Sequence, residues 1–346
     1  MAFDKTMKSW QSPAPTAKLE ASLALNQAAP VPTASALSTG QLLVRVISAS
    51  LNPIDIKLAE MGFISKLAVR GAYSPGLDFC GHVVATHPSV SASRPDLKEG
   101  TLVFGVLAFP PTPVAGTLSQ YTVATAASCA PVPAGVSPDH AAAIASAGLT
   151  ALGSLADVKP GARVLINGGS GGVGTFTIQM AKALGAAHVT ATCSGANVEL
   201  CRSLGADKVL DYRSVDVIEE LKSEGKVYDL AVDNVGNAEL KLYENAGRYL
   251  KKTGSFVQVG GPMSLSNFWL VAKRTYAPVC LGGGNRKFRF QVTKIQAKDL
   301  ERIGEWLKEE KVRVVIDHTY ELEDVPKAYE KLRQGRSKGK IVIHVD

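Results

Sequence analysis

Cysteine is scarce and scattered, with Cys80, Cys129, Cys193, Cys201 and Cys280 standing singly along 346 residues. With no C-x-x-C pair and no even count, nothing suggests a disulfide framework, and a reducing compartment is expected. Long apolar runs are missing as well: none approaches the roughly 20 residues that cross a bilayer. Residues 1–30 carry Asp4, Pro13 and Glu20 instead of a charged start followed by an apolar block, so neither secretion nor a membrane span is expected. The opening segment is rich in Ala, Ser and Pro, which keeps organelle import open beside the expected cytoplasmic location. No run of five or six basic residues occurs despite a net charge of +7. A nucleic-acid partner is therefore not expected, and the surface reads as a solvated basic one that also draws in an anionic small molecule.

What is present is ample core material: 46% of residues are hydrophobic and 20% charged. The length exceeds what one core usually serves, so two domains are expected. Up to about residue 130 the chain shows short apolar runs at 41–47, 81–86, 101–107 and 119–125. Turns at Pro53, Pro75-Gly76 and Pro110-Pro111 break them, which predicts a β-rich region. The texture changes at Ser137-Pro138-Asp139-His140, where an Ala-rich helix begins behind a capping Ser and runs to Leu155. Beyond 163, strands at 164–166, 189–193, 209–210, 230–232, 255–259 and 277–281 alternate with helices at 173–184, 196–204, 215–222 and 240–250. Strict alternation is the sign of a parallel, doubly wound sheet. After Gly284 come a helix at 300–309, a strand at 312–316, a helix at 325–333 and a strand at 340–345. These are expected to rejoin the first region. The fold class is thus α/β, a doubly wound sheet over 133–285 joined to a discontinuous, mostly β domain formed by 1–132 and 286–346.

The sharpest motif is Gly169-Ser170-Gly171-Gly172-Val173-Gly174, directly after the run 164–166 and opening the helix 173–184. Alone, a G-x-G-x-x-G pattern is weak; a strand before it and a helix after it make it a dinucleotide fingerprint. Glycines let the main chain turn tightly and approach a pyrophosphate, whose charge meets the free N–H groups at the helix start. Roughly 20 residues on, where NAD enzymes carry a carboxylate for the ribose 2′-hydroxyl, the chain reads Cys193-Ser194-Gly195-Ala196-Asn197. A carboxylate there repels a 2′-phosphate, so its absence favours NADPH. Ser194 is the candidate phosphate donor, a role compatible with capping the next helix. Tyr212 and Arg213, ending the third strand, are further candidates. Asp233-Asn234-Val235-Gly236 and Gly260-Gly261-Pro262 follow the fourth and fifth strands, where such a sheet opens its ligand crevice; each also reads as an ordinary turn.

The motifs Leu51-Asn52-Pro53-Ile54-Asp55-Ile56-Lys57, Pro75-Gly76-Leu77-Asp78-Phe79-Cys80-Gly81, Ala147-Gly148-Leu149-Thr150-Ala151-Leu152, Leu204-Gly205-Ala206-Asp207 and Gly339-Lys340-Ile341-Val342 join the glycine fingerprint in a pattern. Across nearly the whole chain it resembles the medium-chain dehydrogenase/reductase superfamily, quinone oxidoreductase branch. His188-Val189-Thr190-Ala191-Thr192-Cys193 and Asp211-Tyr212-Arg213 are most similar to the chloroplast-envelope quinone oxidoreductases and the reticulon-interacting mitochondrial oxidoreductases. The resemblance implies a GroES-like catalytic domain split around the cofactor domain, NADPH as reductant, and a quinone or enone as acceptor. It implies Asn52 and Thr150 beside the nicotinamide, and Ser170, Gly171, Gly172 and Val173 at the pyrophosphate. Ser194 and Tyr212 fall at the 2′-phosphate, with Asn234 and Val235 near the nicotinamide ribose. Further contacts are implied at Gly260, at Leu281 and Gly282, and at 338–340, Lys340 included. A homodimer joined through the strand at 277–281 is implied too.

Zinc-dependent alcohol dehydrogenases share this superfamily, yet a catalytic zinc needs three Cys, His or carboxylate ligands. Cys80 and His82 are neighbours without a third ligand at recognisable spacing, so no metal is expected. A ketone then lacks its electrophile, whereas a quinone or conjugated alkene accepts hydride at carbon and spreads the charge onto oxygen. For the proton, Tyr73 is a candidate partner of the acceptor oxygen, and equally a packing residue; solvent serves as well. Asp55 and Lys57 read either as orienting Asn52 or as a surface pair. Two alternatives stay open: a pathway-specific enoyl reductase, and a non-catalytic NADPH-binding partner protein.

Overall fold

The computed structural model describes residues 5–12, 18–60, 73–107, 116–236, 240–262, 264–277, 284 and 286–346. Its strands, in chain order, are β1 Thr6–Gln11, β2 Ala24–Pro30, β3 Gln41–Ser50, β4 Asp78–Thr86, β5 Leu102–Val106, β6 Tyr121–Thr125, β7 Cys129–Pro131, β8 Arg163–Asn167, β9 His188–Cys193, β10 Lys208–Asp211, β11 Tyr228–Asp233, β12 Leu250–Gln258, β13 Lys287–Phe290, β14 Ile316–Glu321 and β15 Lys340–His344. Packing divides the chain into one unit of 1–149, 295–310 and 316–346, and another of 150–294 with 311–315. Chain texture alone puts the divisions at 132/133 and 285/286. The helix Pro138–Ser154 runs without a break across the packing boundary at 149/150, so no turn marks the change of unit there.

The first unit is built on a seven-stranded sheet, ordered β14-β15-β3-β4-β5-β7, with β6 also on β3. The ten-residue β3 pairs with β4 along one edge and with two strands along the other: Gln41–Arg45 pairs antiparallel with β6, and Ser48–Ser50 with β15. Leu42, Leu43, Val44, Val46 and Ala49 are all fully buried, as expected of a strand covered on both faces. β15 brings Lys340 beside the end of β3, and the helix Pro53–Ala59 follows two residues after that end.

In the second unit the strands run β10-β9-β8-β11-β12-β13, every neighbouring pair parallel. Counted within the unit this is the order 3-2-1-4-5-6 of a dinucleotide-binding sheet, with its switch point between β8 and β11. Behind β8 the helix Gly172–Ala183 buries Phe176, Ile178, Met180 and Ala181. Leu165, Leu210, Leu221, Tyr228, Tyr249 and Phe256 belong to one core cluster, in which Tyr228 and Tyr249 meet edge to face at 6.2 Å.

Three expected elements differ. The helix at 240–250 shrinks to Ala246–Tyr249, because Lys241 takes a left-handed φ of 46° and Leu250 already pairs with Tyr228 as the start of β12. The strand at 312–316 begins only at Ile316, since the Arg313 main chain is taken by a side chain: its N–H donates to Gln179 Oε1 (2.8 Å), and its carbonyl accepts from Gln179 Nε2 (3.0 Å). The strand at 277–281 lies outside the described residues apart from Ala277, a bend, and β13 is the sixth strand of the sheet. The strands β1, β2 and β7 and the helices Pro88–Ser93 and Leu265–Tyr276 are additions to the expected elements.

Candidate functional site

The glycine turn leaves β8 and enters the helix Gly172–Ala183, whose cap residue Gly171 is extended and makes no side-chain capping bond. The glycines at 169, 171 and 174 differ in the room around them. A Cβ on Gly174 would sit 2.1 Å from the Gly168 carbonyl, and one on Gly169 would sit 2.9 Å from Ala191 Cβ. A Cβ on Gly171 would find nothing nearer than 3.7 Å. Thus Gly169 and Gly174 let strand and helix close on each other, while Gly171 leaves bare main chain at the positive helix end, where a pyrophosphate fits. Ser170, Gly172 and Val173 are half-buried around it.

A buried polar network holds this turn, and neither Asn167 nor Thr192 was singled out by sequence. Asn167 Nδ2 donates to Asp233 Oδ1 (2.8 Å), Thr192 Oγ1 donates to Asn167 Oδ1 (2.6 Å), and Gly168 N–H donates to Thr192 Oγ1 (3.1 Å). Asp233 Oδ1 also accepts the N–H groups of Val235 and Gly236, which shapes the loop after β11. A Cβ on Gly236 or on Gly260 would lie 2.3 Å from the other loop's backbone, so the segments after β11 and β12 pack main chain to main chain. Within this arrangement both polar atoms of Asn234 are buried with no hydrogen-bond partner among the described residues. An orphaned amide at the crevice is the mark of a group waiting for a ligand. Val235 beside it is 48% exposed.

At the end of β9, Asn197 Nδ2 bridges Ser170 Oγ (3.1 Å) and Ser194 Oγ (3.2 Å), linking the glycine turn to the segment that lacks a carboxylate. Asn197 Oδ1 is buried without a hydrogen-bond partner among the described residues. Tyr212 is exposed, and the Arg213 guanidinium lies over its ring, 5.9 Å from the ring centre. Asp211 is the nearby acid; hydrogen bonds from the Ser214 hydroxyl and the Arg213 N–H hold its carboxyl below the usual range. Thr150, on the helix Pro138–Ser154, exchanges a hydroxyl hydrogen bond of 2.7 Å with Thr293.

In the first unit, Asn52 stands just before the helix Pro53–Ala59 in a cluster of buried ionisable groups. Asp55 is fully buried and its Oδ2 accepts the Asn52 N–H at 2.8 Å, so it orients Asn52 and is not half of a surface pair. Desolvation pushes the Asp55 carboxyl up to about 7, aided by the nearby Asp78 charge and opposed by the Asn52 N–H and Lys340. The Asn52 amide donates to Asp78 Oδ2 (2.8 Å) and accepts from Lys340 Nζ (2.6 Å). Tyr73 is 1% exposed and its hydroxyl donates to the Asp55 carbonyl at 3.3 Å, which is the packing placement of the two that sequence left open. Burial holds its phenol well above the usual range. The expected contacts Leu281 and Gly282 lie outside the described residues.

Among the described residues no group of three or more His, Cys, Asp or Glu is placed to hold a metal ion. Cys80 is buried, while His82 is exposed and donates from Nδ1 to the Gly100 carbonyl. These residues do not fit a zinc centre. No helix among the described residues is long and apolar enough to cross a membrane.

Residues 38–134 match the alcohol dehydrogenase GroES-like domain family, and residues 204–343 match the zinc-binding dehydrogenase family. The chain is 44% identical to a trans-enoyl reductase of Aspergillus terreus over 99% of this chain and 97% of that protein. It is 33% identical to a mitochondrial NAD(P)H oxidoreductase of Homo sapiens over 88% of this chain and 82% of that one. Among solved structures, the quinone oxidoreductase from Coxiella burnetii aligns with a TM-score of 0.82 at 30% identity, covering 99% of this chain and 100% of the other.

Proposed function

Because this chain belongs to the medium-chain dehydrogenase/reductase superfamily and is an oxidoreductase with a nicotinamide cofactor, we propose that it reduces quinones or α,β-unsaturated carbonyls with NADPH and without zinc. The observation that carries this reading is the bare Gly171 main chain at a helix start, beside the Ser170, Asn197 and Ser194 bridge where a carboxylate would mark NAD. When bound, NADPH supplies hydride from nicotinamide C4. On this reading Gly171, Gly172 and Val173 hold the pyrophosphate, with Ser170 reaching toward Ser194. Ser194, Tyr212 and Arg213 meet the 2′-phosphate. Asn234 and Val235 face the nicotinamide ribose with Gly260, and Thr150 and Asn52 serve the nicotinamide itself. With Tyr73 buried on a main-chain carbonyl, solvent is the proposed proton source, and Tyr73→Phe is expected to leave turnover within about threefold of wild type.

An enoyl substrate of one biosynthetic pathway is the second reading, favoured by the 44% identity to a trans-enoyl reductase. Purified protein offered NADPH or NADH with a panel of quinones, enones and enoyl thioesters decides between them. Oxidation of NADPH by several quinones supports the broad reading, and activity confined to one enoyl thioester supports the narrow one. Binding without turnover on any acceptor would defeat both.

A further inference from the structure

Lys340 is the one buried ammonium of the first unit's cluster, 3% exposed, beside Asp78 at 0% and Asn52 at 7%. A lysine ammonium has three N–H donors and no acceptor. Here three protein oxygens lie within reach: Asn52 Oδ1 at 2.6 Å, the Leu51 carbonyl at 3.0 Å and Asp78 Oδ2 at 3.4 Å. Asp78 in turn accepts from Asn52 Nδ2 (2.8 Å), Ser50 Oγ (3.0 Å) and the Ser146 N–H (3.2 Å). No donor of Lys340 is left over for a dinucleotide.

We propose that Lys340 and Asp78 are positioning residues that set which way the Asn52 amide faces, and that neither is a cofactor ligand. An asparagine amide is nearly symmetric in shape, so nothing in its packing alone distinguishes oxygen from nitrogen. An ammonium that only donates and a carboxylate that only accepts remove the ambiguity. Turned by half a revolution, Asn52 would aim its NH₂ at the Lys340 cation and its carbonyl at the Asp78 anion. In the placement observed, one amide N–H remains beyond these bonds, while the Asn52 side chain also faces the Asp55 N–H in a capping box. The spare amide N–H matches the carbonyl oxygen of a carboxamide or of a conjugated carbonyl, as nicotinamide and the proposed acceptors present.

The role for Asn52 rests on the proposed function, so the test keeps the two apart. Removing one partner alone strands a buried charge and endangers folding. The main variant is therefore the neutral pair Asp78→Asn with Lys340→Gln, checked by circular dichroism. The NADPH dissociation constant, read by fluorescence titration, is expected to stay within about threefold of wild type, while kcat at saturating NADPH falls about tenfold or more. Adding Asn52→Ala to the pair is expected to cost nothing further, because the pair acts through Asn52. In ¹⁵N-asparagine-labelled protein the Asn52 side-chain amide signals, assigned by their loss in Asn52→Ala, are expected to shift in the pair. A tenfold loss of NADPH affinity would make Lys340 or Asp78 a direct ligand. An unchanged kcat with unmoved Asn52 signals, or a full additional loss from Asn52→Ala, would equally overturn the proposal. If the wild-type enzyme turns over no acceptor, the proposed function fails, yet the Asn52 amide signals still decide the positioning role.

Discussion

Two glycines three residues apart make opposite demands. Gly171→Ala adds a methyl where nothing lies nearer than 3.7 Å, so unfolding by urea is expected to be unchanged while NADPH binding weakens about tenfold or more as the methyl meets the pyrophosphate. Gly174→Ala puts a methyl 2.1 Å from the Gly168 carbonyl; its expected result is a loss of roughly 1–3 kcal/mol or more in the same urea titration. Ser194→Asp restores a carboxylate near the proposed 2′-phosphate, and the ratio of kcat/KM for NADPH over NADH is expected to fall about tenfold or more. The fingerprint glycines, Ser194 and Asn234 could be proposed from the chain alone because their candidate chemistry is read from spacing along one strand, turn and helix. Asn167, Thr192 and Asp78 could not, since a polar residue ending an apolar strand looks alike whether it supports a site or merely closes a sheet. Only their partners, 25 to 66 residues distant for Asn167 and 26 for Asp78 with Asn52, reveal the work they do.

Elements with one unbroken apolar face were found where expected: the helix Val325–Arg333 matches at both ends, and β15 Lys340–His344 falls short of its expected end by one residue. The run at 312–316 misled because a side chain took the place of a neighbouring strand. Gln179→Leu should therefore leave the Arg313 N–H and carbonyl unpaired, and thermal unfolding is expected to report roughly 1–3 kcal/mol of lost stability. At another junction, His344 Nε2 lies 2.9 Å from Asp139 Oδ2, tying β15 to the start of the helix Pro138–Ser154. The Asp139 carboxylate, with Glu321 beside it, raises the His344 pKa above its ordinary 6.5. The folded chain then holds the proton more tightly than the unfolded one, so the stabilisation is complete below pH 6.5 and lost as pH rises through the folded value. His344→Gln is expected to flatten the unfolding midpoint across that window.

For the molecule as a whole, the buried Asp55 adds a contribution to the pH response that opposes the carboxylates held below their usual range, Asp96 and Glu224 among them. The Asp55 carboxyl moves from 3.8 to about 7 on folding, so between these values the folded state keeps a proton that the unfolded chain has released, and this contribution to stability falls as pH rises. Asp55→Asn should remove that slope from urea titrations run between pH 4 and 7. A homodimer remains our proposal for assembly, and light scattering at the mass of one 36.4 kDa chain would refute it. The sequence by itself determined the fold class, the parallel sheet, the glycine turn at a helix start and the class of reaction. Those depend on local periodicity, on glycine at fixed spacing and on motifs contiguous in the chain. Tertiary structure alone decided that Asn52, Asp55, Asp78 and Lys340 form one buried cluster and that Tyr73 is buried with its hydroxyl on the Asp55 carbonyl. Electrostatic work of that kind depends on distance through a desolvated interior, and separation along the chain carries no record of it.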